Sequence, residues 1–300
     1  MIYRIGAIIL SETSSESVLL VDGMALLFRG YYATSSSGYI MRTSAGMPVN
    51  GVYGFLKYFL DAIQTFKPTH VVCCWDMGSK TFRTEKFDNY KANRGPAPEE
   101  LIPQFDLVKE VTASFNIPNV GVIGYEADDC IGTLASTYSP STKVQILTGD
   151  HDMLQLVNEN TEVIIMKKGQ SNYMVYTLET LMEEKSLTPA QIIDLKGLTG
   201  DTADNYPGVK GIGEKTATKL LMEYQDIAGI LENLALLPKG VRTKIEAEID
   251  MLHLSRDLAT IRLDAPVACA LEECGWSMER EKVISKFEEL EFKGLMRLIG

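Results

Sequence analysis

Four short apolar runs in this chain each lead into acidic residues, and that recurrence restricts the fold more than any other feature. Val18 to Val21 stops at Asp22, and Val71 to Trp75 stops at Asp76. Val120 to Ile123 passes through Gly124 and Tyr125 into Glu126, Asp128 and Asp129, while Val144 to Thr148 passes through Gly149 into Asp150 and Asp152. Short runs of β-branched and aliphatic residues bounded by turn formers read as fully buried strands of a parallel sheet. Open α/β sheets bind ligands beyond the carboxyl ends of their strands, so seven carboxylates from four segments are expected at one edge. That is the outline of a metal site.

Size and composition bound the remainder. A chain of 300 residues with 45% hydrophobic content can bury one large core or two ordinary ones. The apolar stretch Ile5 to Leu10 is far shorter than the roughly 18 residues that span a bilayer, and short for a signal-peptide core, so export is not expected. Five cysteines, with Cys73 and Cys74 adjacent and no CxxC pair, do not make a disulfide framework. Cys269 and Cys274 have only His70, His151 and His253 as companions, a poor basis for zinc. A cytoplasmic protein with reduced thiols is expected. The net charge of −11 argues against a nucleic-acid partner when taken as an average. Asp201 and Asp204 bring the candidate site acids to nine, and without those nine the rest of the molecule carries only −2.

Residues 1–17 end in the polar stretch Ser11 to Ser17 and read as a loose leader. From 18 to 185 strand-like runs alternate with helical ones, Gly51 to Phe66 and Leu101 to Phe115 among them, the pattern of a βαβ parallel sheet. From 186 to 300 strand signals fade, and Thr188 followed by Pro189 supplies an N-cap with proline at the first helical position. Between the second and third strands, Lys80 to Arg94 holds five basic residues against two acidic ones, with Phe82, Phe87 and Tyr90 interleaved. Such a mixture suits a surface that tracks phosphates and stacks exposed bases; a solvated helix is the plainer reading. Around 189–224, glycines 208, 211 and 213 run into an apolar-periodic helix, with Lys210, Lys215 and Lys219 beside them. A glycine hairpin opening a helix is an anion site. Glu214 stands where a P-loop needs lysine, and the dinucleotide and calcium-loop spacings are absent, so contact with a nucleic-acid phosphodiester fits best.

Any one of these acids is accounted for as a helix N-cap. Nine like charges in one cleft repel by several kcal/mol unless cations neutralise them, and capping does not explain the set. Oxygen ligands without His or Cys favour Mg²⁺ or Mn²⁺. Two such ions form the usual clamp for in-line displacement at phosphorus, so metal-assisted phosphodiester hydrolysis is the expected reaction.

The motifs themselves, from Val21-Asp22-Gly23 and Leu26 to Arg29 through Trp75-Asp76, Phe82-Arg83, Tyr90 to Arg94, Glu126 to Asp129, Thr148 to Asp152 and Gly200 to Gly213, resemble the 5′-nuclease (flap endonuclease) family. The likeness runs from about Val18 to about Lys293 and is greatest to the 5′→3′ exonuclease domain at the amino end of bacterial DNA polymerase I, in the manner of free-standing bacterial members. The resemblance implies a resolvase-like (PIN-like) α/β domain, a helical arch over the site at about 78–105, and a helical C-terminal domain with a helix-three-turn-helix DNA-binding element. It implies Asp76, Asp128, Asp150 and Asp152 as nearest metal ligands, with Asp22, Glu126, Asp129, Asp201 and Asp204 acting directly or through water. Lys91 and Arg94 would reach the scissile phosphate, Tyr90 would stack on a frayed base, and Arg83 would contact phosphate unless it is an ordinary surface residue. Gly208, Lys210, Gly211, Gly213 and Lys215 would hold duplex DNA, with K⁺ bound by hairpin carbonyls.

The expectation is a Mg²⁺-dependent, structure-selective 5′ nuclease with two ions per site, Mn²⁺ substituting. It would act as a monomer on 5′ flaps, branched or nicked duplex and RNA–DNA hybrid in primer removal and repair, in the cytoplasm at the nucleoid and not at a membrane. A branched-DNA binder without activity would lack some acids, and none is missing. A PIN-type ribonuclease would lack the arch and the stretch from Gly200 to Lys219.

Overall fold

The structure is a computed structural model that describes residues 16–36 and 38–299. Its centre is a six-stranded sheet of order β3-β2-β1-β4-β5-β6. The strands are β1 (Ser17–Asp22), β2 (His70–Cys74), β3 (Asn119–Val120), β4 (Lys143–Thr148), β5 (Thr161–Met166) and β6 (Tyr173–Tyr176). The first five run parallel and β6 pairs antiparallel to β5, so the sheet is mixed rather than purely parallel. The hairpin between Met166 and Tyr173 is too short for the crossover a parallel partner would need. β1 begins at Ser17, inside the stretch read as leader; residues 1–15 lie outside those described.

Alternation along β1 divides the core. Val18 and Leu20 join one buried cluster with α5 (Ala127–Tyr138) and the C-terminal helices, while Leu19 and Val21 join another with α1 (Gly23–Ser35), α2 (Asn50–Phe66) and α4 (Gln104–Ser114). Of the run Val120 to Ile123 only Val120 lies in a strand, the two-residue β3, and Ile123 is exposed. The segment at 78–105 holds one short helix, α3 (Phe82–Lys86), followed by turns up to the start of α4, and Gly95, Pro96 and Pro98 bar a continuous helix through its later part. It is a folded strap rather than a helical arch.

After α6 (Leu178–Lys185) the chain is helical. α7 (Pro189–Thr199) starts on the expected Thr188 cap with Pro189 in its first turn. The glycine hairpin joins α7 to α8 (Glu214–Tyr224), followed by α9 (Ile227–Glu232), α10 (Lys239–Ala247), α11 (Ile249–Ala259) and α12 (Arg280–Glu289). Phe287 and Phe292 pack with Phe115 and Tyr53 in the cluster under α2 and α4, so the last stretch returns to the α/β core. The sequence reading, with one helical domain to the end, did not anticipate that return. Among the described residues no helix is long and apolar enough to cross a membrane.

Candidate active site

The acids gather where the strand ends converge. Asp22 closes β1 and caps α1 by accepting from the Ala25 N–H at 2.9 Å, while its other oxygen accepts from the Thr148 hydroxyl at the end of β4. Asp76, just past β2, accepts from the Ala127 N–H at 2.8 Å and thereby tethers the start of α5. Asp128 projects from the first turn of α5, and Asp150 caps the short 3₁₀ helix His151–Leu156 after β4. A cleft of about 630 Å³ is lined by these four together with Glu126, Lys91, Arg94 and Lys196. It lies at the β1–β4 junction, where the order of strand addition reverses.

Side-chain pairing sorts the nine acids into two groups. Among the described residues, Asp22, Asp76, Asp128 and Asp150 have no basic side chain in ion-pair contact. The other five do. Asp129 is fully buried and takes a bidentate pair from Arg83, at 2.7 and 2.9 Å. Glu126 faces Lys91 at 2.9 Å and Arg83 at 3.5 Å. Asp204 binds Arg94 at 2.5 Å and lies 3.8 Å from the Lys91 ammonium. Lys196 bridges Asp152, at 2.6 Å, and Asp201. Contrary to the sequence reading, metal ions are therefore not needed for all nine like charges. Four basic side chains pair with five of the acids and offset all but one of their charges, and the need for an external cation falls mainly on the other four.

Proton affinities follow the same division. Burial, with Asp76 and Asp150 nearby, pushes Asp22 up to about 6 despite its two hydrogen bonds. Burial and then Asp22 and Asp150 raise Asp128 well above the usual carboxylate value. Asp152 rises to about 7 through burial and Asp150, in spite of Lys196. For Asp201, burial is outweighed by the Lys196 ammonium and the backbone of Asp204 and Ala203, and the carboxyl sits below its ordinary value. Burial works against the charge on Lys91, yet Glu126 and Asp204 hold its proton more tightly than usual.

Two arch residues are placed otherwise than the resemblance implied. Arg83 is 2% exposed, and besides Asp129 it donates to the Leu258 and Thr260 carbonyls at 2.8 Å, which joins α3 to the end of α11. Neither a phosphate contact nor a surface site is compatible with that burial. Tyr90 is also buried, its hydroxyl 3.1 Å from Glu126 and 2.9 Å from Asp204, its ring stacked near Tyr206, so no face is open to a base. Asp129, with both oxygens taken by Arg83 and by the N–H groups of Glu126 and Arg262, is a structural counter-ion rather than a metal ligand. Lys91, in left-handed backbone at φ +55°, and Arg94 both line the cleft.

The strap is fastened over this cleft. The Lys91 N–H donates to the Asp204 carbonyl at 2.8 Å, Asn93 to Thr202 and Asn205 back to Asn89. Sequence reasoning missed Lys196 and Thr148. Lys196 stands five residues before Asp201 on α7, the one signal that could have singled it out. In the hairpin, Gly208 at φ +60° presses on Gly200, where an added Cβ would lie 2.1 Å from the Gly200 nitrogen. Lys210, Gly211, Gly213 and Lys215 lie on the hairpin or the first turn of α8, and the Gly211 carbonyl accepts from Lys244 at 2.9 Å.

Asp22, Asp76, Asp128 and Asp150 fit a hard divalent cation, being all oxygen, partly desolvated and, among the described residues, without a basic partner. Among the described residues no three side chains converge into a ready-made metal cage.

Comparison with known proteins agrees with this geometry. Residues 17–186 match the model of the 5′-3′ exonuclease N-terminal resolvase-like domain, and residues 187–282 that of the 5′-3′ exonuclease C-terminal SAM fold. The chain is 50% identical over 286 residues to the 5′-3′ exonuclease of Bacillus subtilis, covering 95% of this chain and 97% of that one. It is 40% identical over 280 residues to DNA polymerase I of Chloroflexus aurantiacus, covering 92% of this chain but 29% of the polymerase. Bacteriophage T5 D15 protein co-crystallised with metal ions has the same fold, with a TM-score of 0.63 at 20% identity over 95% of this chain and 98% of that one. The catalytic core of Rad2 in complex with DNA substrate aligns with a TM-score of 0.61 at 17% identity, over 95% and 93% of the two chains. With both domains matched in order, and half the residues identical along nearly the whole of one relative, the chain belongs to the 5′-3′ exonuclease family.

Proposed function

We propose that this enzyme hydrolyses DNA phosphodiesters with Mg²⁺, selecting free 5′ ends, 5′ flaps and nicked or branched duplex and leaving 5′-phosphate and 3′-hydroxyl ends. The observation that carries the reading is the group of four carboxylates, Asp22, Asp76, Asp128 and Asp150, that have no basic partner among the described residues and share one cleft with Lys91 and Arg94. Bound divalent ions would supply an activated water and stabilise the leaving oxygen. Lys91 and Arg94 then donate to the phosphoryl oxygens as charge develops. Asp22 stays oriented by Ala25 and Thr148, and Asp76 by Ala127. Mn²⁺ is expected to replace Mg²⁺, and two ions per site is the proposed full complement.

The glycine hairpin, with Lys210 and Lys215, is the proposed seat of the duplex backbone, its remaining carbonyls serving K⁺. RNA–DNA hybrids belong among the proposed substrates, and primer removal and repair by a monomer at the nucleoid is the proposed setting. Cleavage of a fluorophore-labelled 5′-flap DNA, resolved by nucleotide, tests the reading. Cuts near the junction that need Mg²⁺ and vanish in Asp150→Asn are expected. Tight binding without any cut by folded, metal-supplied protein would replace the nuclease with a branched-DNA binder.

A further inference from the structure

The two lysines and two arginines that neutralise the site acids are not equivalent. Arg83 is locked, buried with its whole guanidinium engaged. Lys91 and Arg94 belong to the strap. Lys196 alone comes from the helical side, reaching from α7 to join two acids on separate segments, Asp152 in the 3₁₀ helix after β4 and Asp201 in the loop after α7. One cation shared by two carboxylates from different elements is the arrangement a divalent ion would otherwise make. Asp201 has no spare capacity to compensate, since its other oxygen accepts from the Ala203 and Asp204 N–H groups at 2.6 and 3.2 Å.

The hold is not sealed from solvent. The Lys196 side chain is 23% exposed at the edge of the cleft, on a flexible four-carbon stem, and lines both this cleft and a neighbouring one toward Thr199 and Glu214. It has somewhere to go.

We propose that the Lys196 ammonium is a resident competitor for the second divalent ion: it occupies the Asp152–Asp201 position, so the free enzyme takes one ion tightly at the Asp22–Asp76–Asp128–Asp150 end and a second only when Lys196 withdraws. This rests on the metal-dependent nuclease reading given above. An adjacent cation changes a carboxylate's proton affinity by roughly ten- to a thousandfold, and a competing metal ion meets the same charge.

Mn²⁺ titration of the full chain followed by electron paramagnetic resonance of the free ion, without DNA, tests the proposal in wild type, Lys196→Met and Lys196→Gln. Wild type is expected to bind one ion tightly and a second more weakly. In both variants the second ion should tighten by at least about tenfold while the first is unchanged, and the unchanged first ion shows that the site is still folded. Adding Asp152→Asn to Lys196→Met should abolish the gain. A second ion held equally tightly in wild type and variants, or more weakly in the variants, would overturn the proposal and make Lys196 a structural tie or an orienting group. No Mn²⁺ bound by wild type at all would instead remove the metal-dependent reading on which it rests.

Discussion

Arg83 and Lys91 lie eight positions apart in the same basic stretch, yet burial gives them opposite work. Arg83 holds Asp129 and two carbonyls in a closed site, where removing one member of a buried pair leaves an uncompensated charge. Arg83→Met should therefore lower stability by about 3 to 5 kcal/mol, measured by urea unfolding. A loss under about 1 kcal/mol would mean the pair is solvated like a surface one. Lys91 keeps its ammonium on the cleft side, between Glu126 and Asp204. Lys91→Ala should reduce the cleavage rate at saturating DNA by roughly a hundredfold or more, as loss of a donor aimed at developing charge does, with a smaller change in DNA affinity. A purely affinity effect would limit Lys91 to positioning.

At the scale of elements, the strap and the glycine hairpin are two ways of placing positive groups on a protein of negative charge. The strap's turns are fastened to the 201–206 loop by backbone and amide hydrogen bonds, which ties Lys91 and Arg94 to the segment that carries Asp201 and Asp204. The hairpin depends on close backbone approach. Gly208→Ala would need a Cβ where Thr199 and Gly200 backbone already stands, at a positive φ that alanine disfavours. Weaker binding of flap DNA with a nearly unchanged rate at saturation is the expected result, read from KM against kcat. An unchanged KM would separate the hairpin from duplex contact.

For the whole molecule, the acids at the sheet edge impose a pH dependence on stability. The carboxyl of Asp22 titrates near 6 and that of Asp152 near 7, both above the ordinary value, chiefly through burial. At these two groups the folded protein therefore holds more protons than the unfolded chain between about pH 4 and pH 7. Stability contributed by these groups is full below that window and is lost as pH rises through it. For Asp22 the loss is on the order of 3 kcal/mol. Thermal unfolding in EDTA should show Tm falling across the window, less steeply in Asp22→Asn, and Mg²⁺ should raise Tm most at the upper end. Identical pH profiles for wild type and Asp22→Asn would dismiss Asp22 as the source.

Sequence by itself determined β1, β2 and β4 and the acids that follow them, because a buried parallel strand needs an unbroken apolar run and its end must be polar; the run at 120–123 has the same look but supplies only Val120 to a strand. It also determined the Thr188–Pro189 helix start and the glycines that permit the hairpin, since both depend on neighbouring backbone conformation. What only the tertiary structure decided is which charges meet. Arg83 and Lys91 look alike in a basic stretch, and Asp128 and Asp129 are adjacent in sequence. Yet a step of one residue on α5 turns one carboxylate toward the cleft and the other into the core, and Lys196 finds Asp152 across 44 positions. Charge pairing falls off with distance in space and not along the chain, so the division of nine acids into metal-facing and internally neutralised groups exists only once the helices are docked on the sheet.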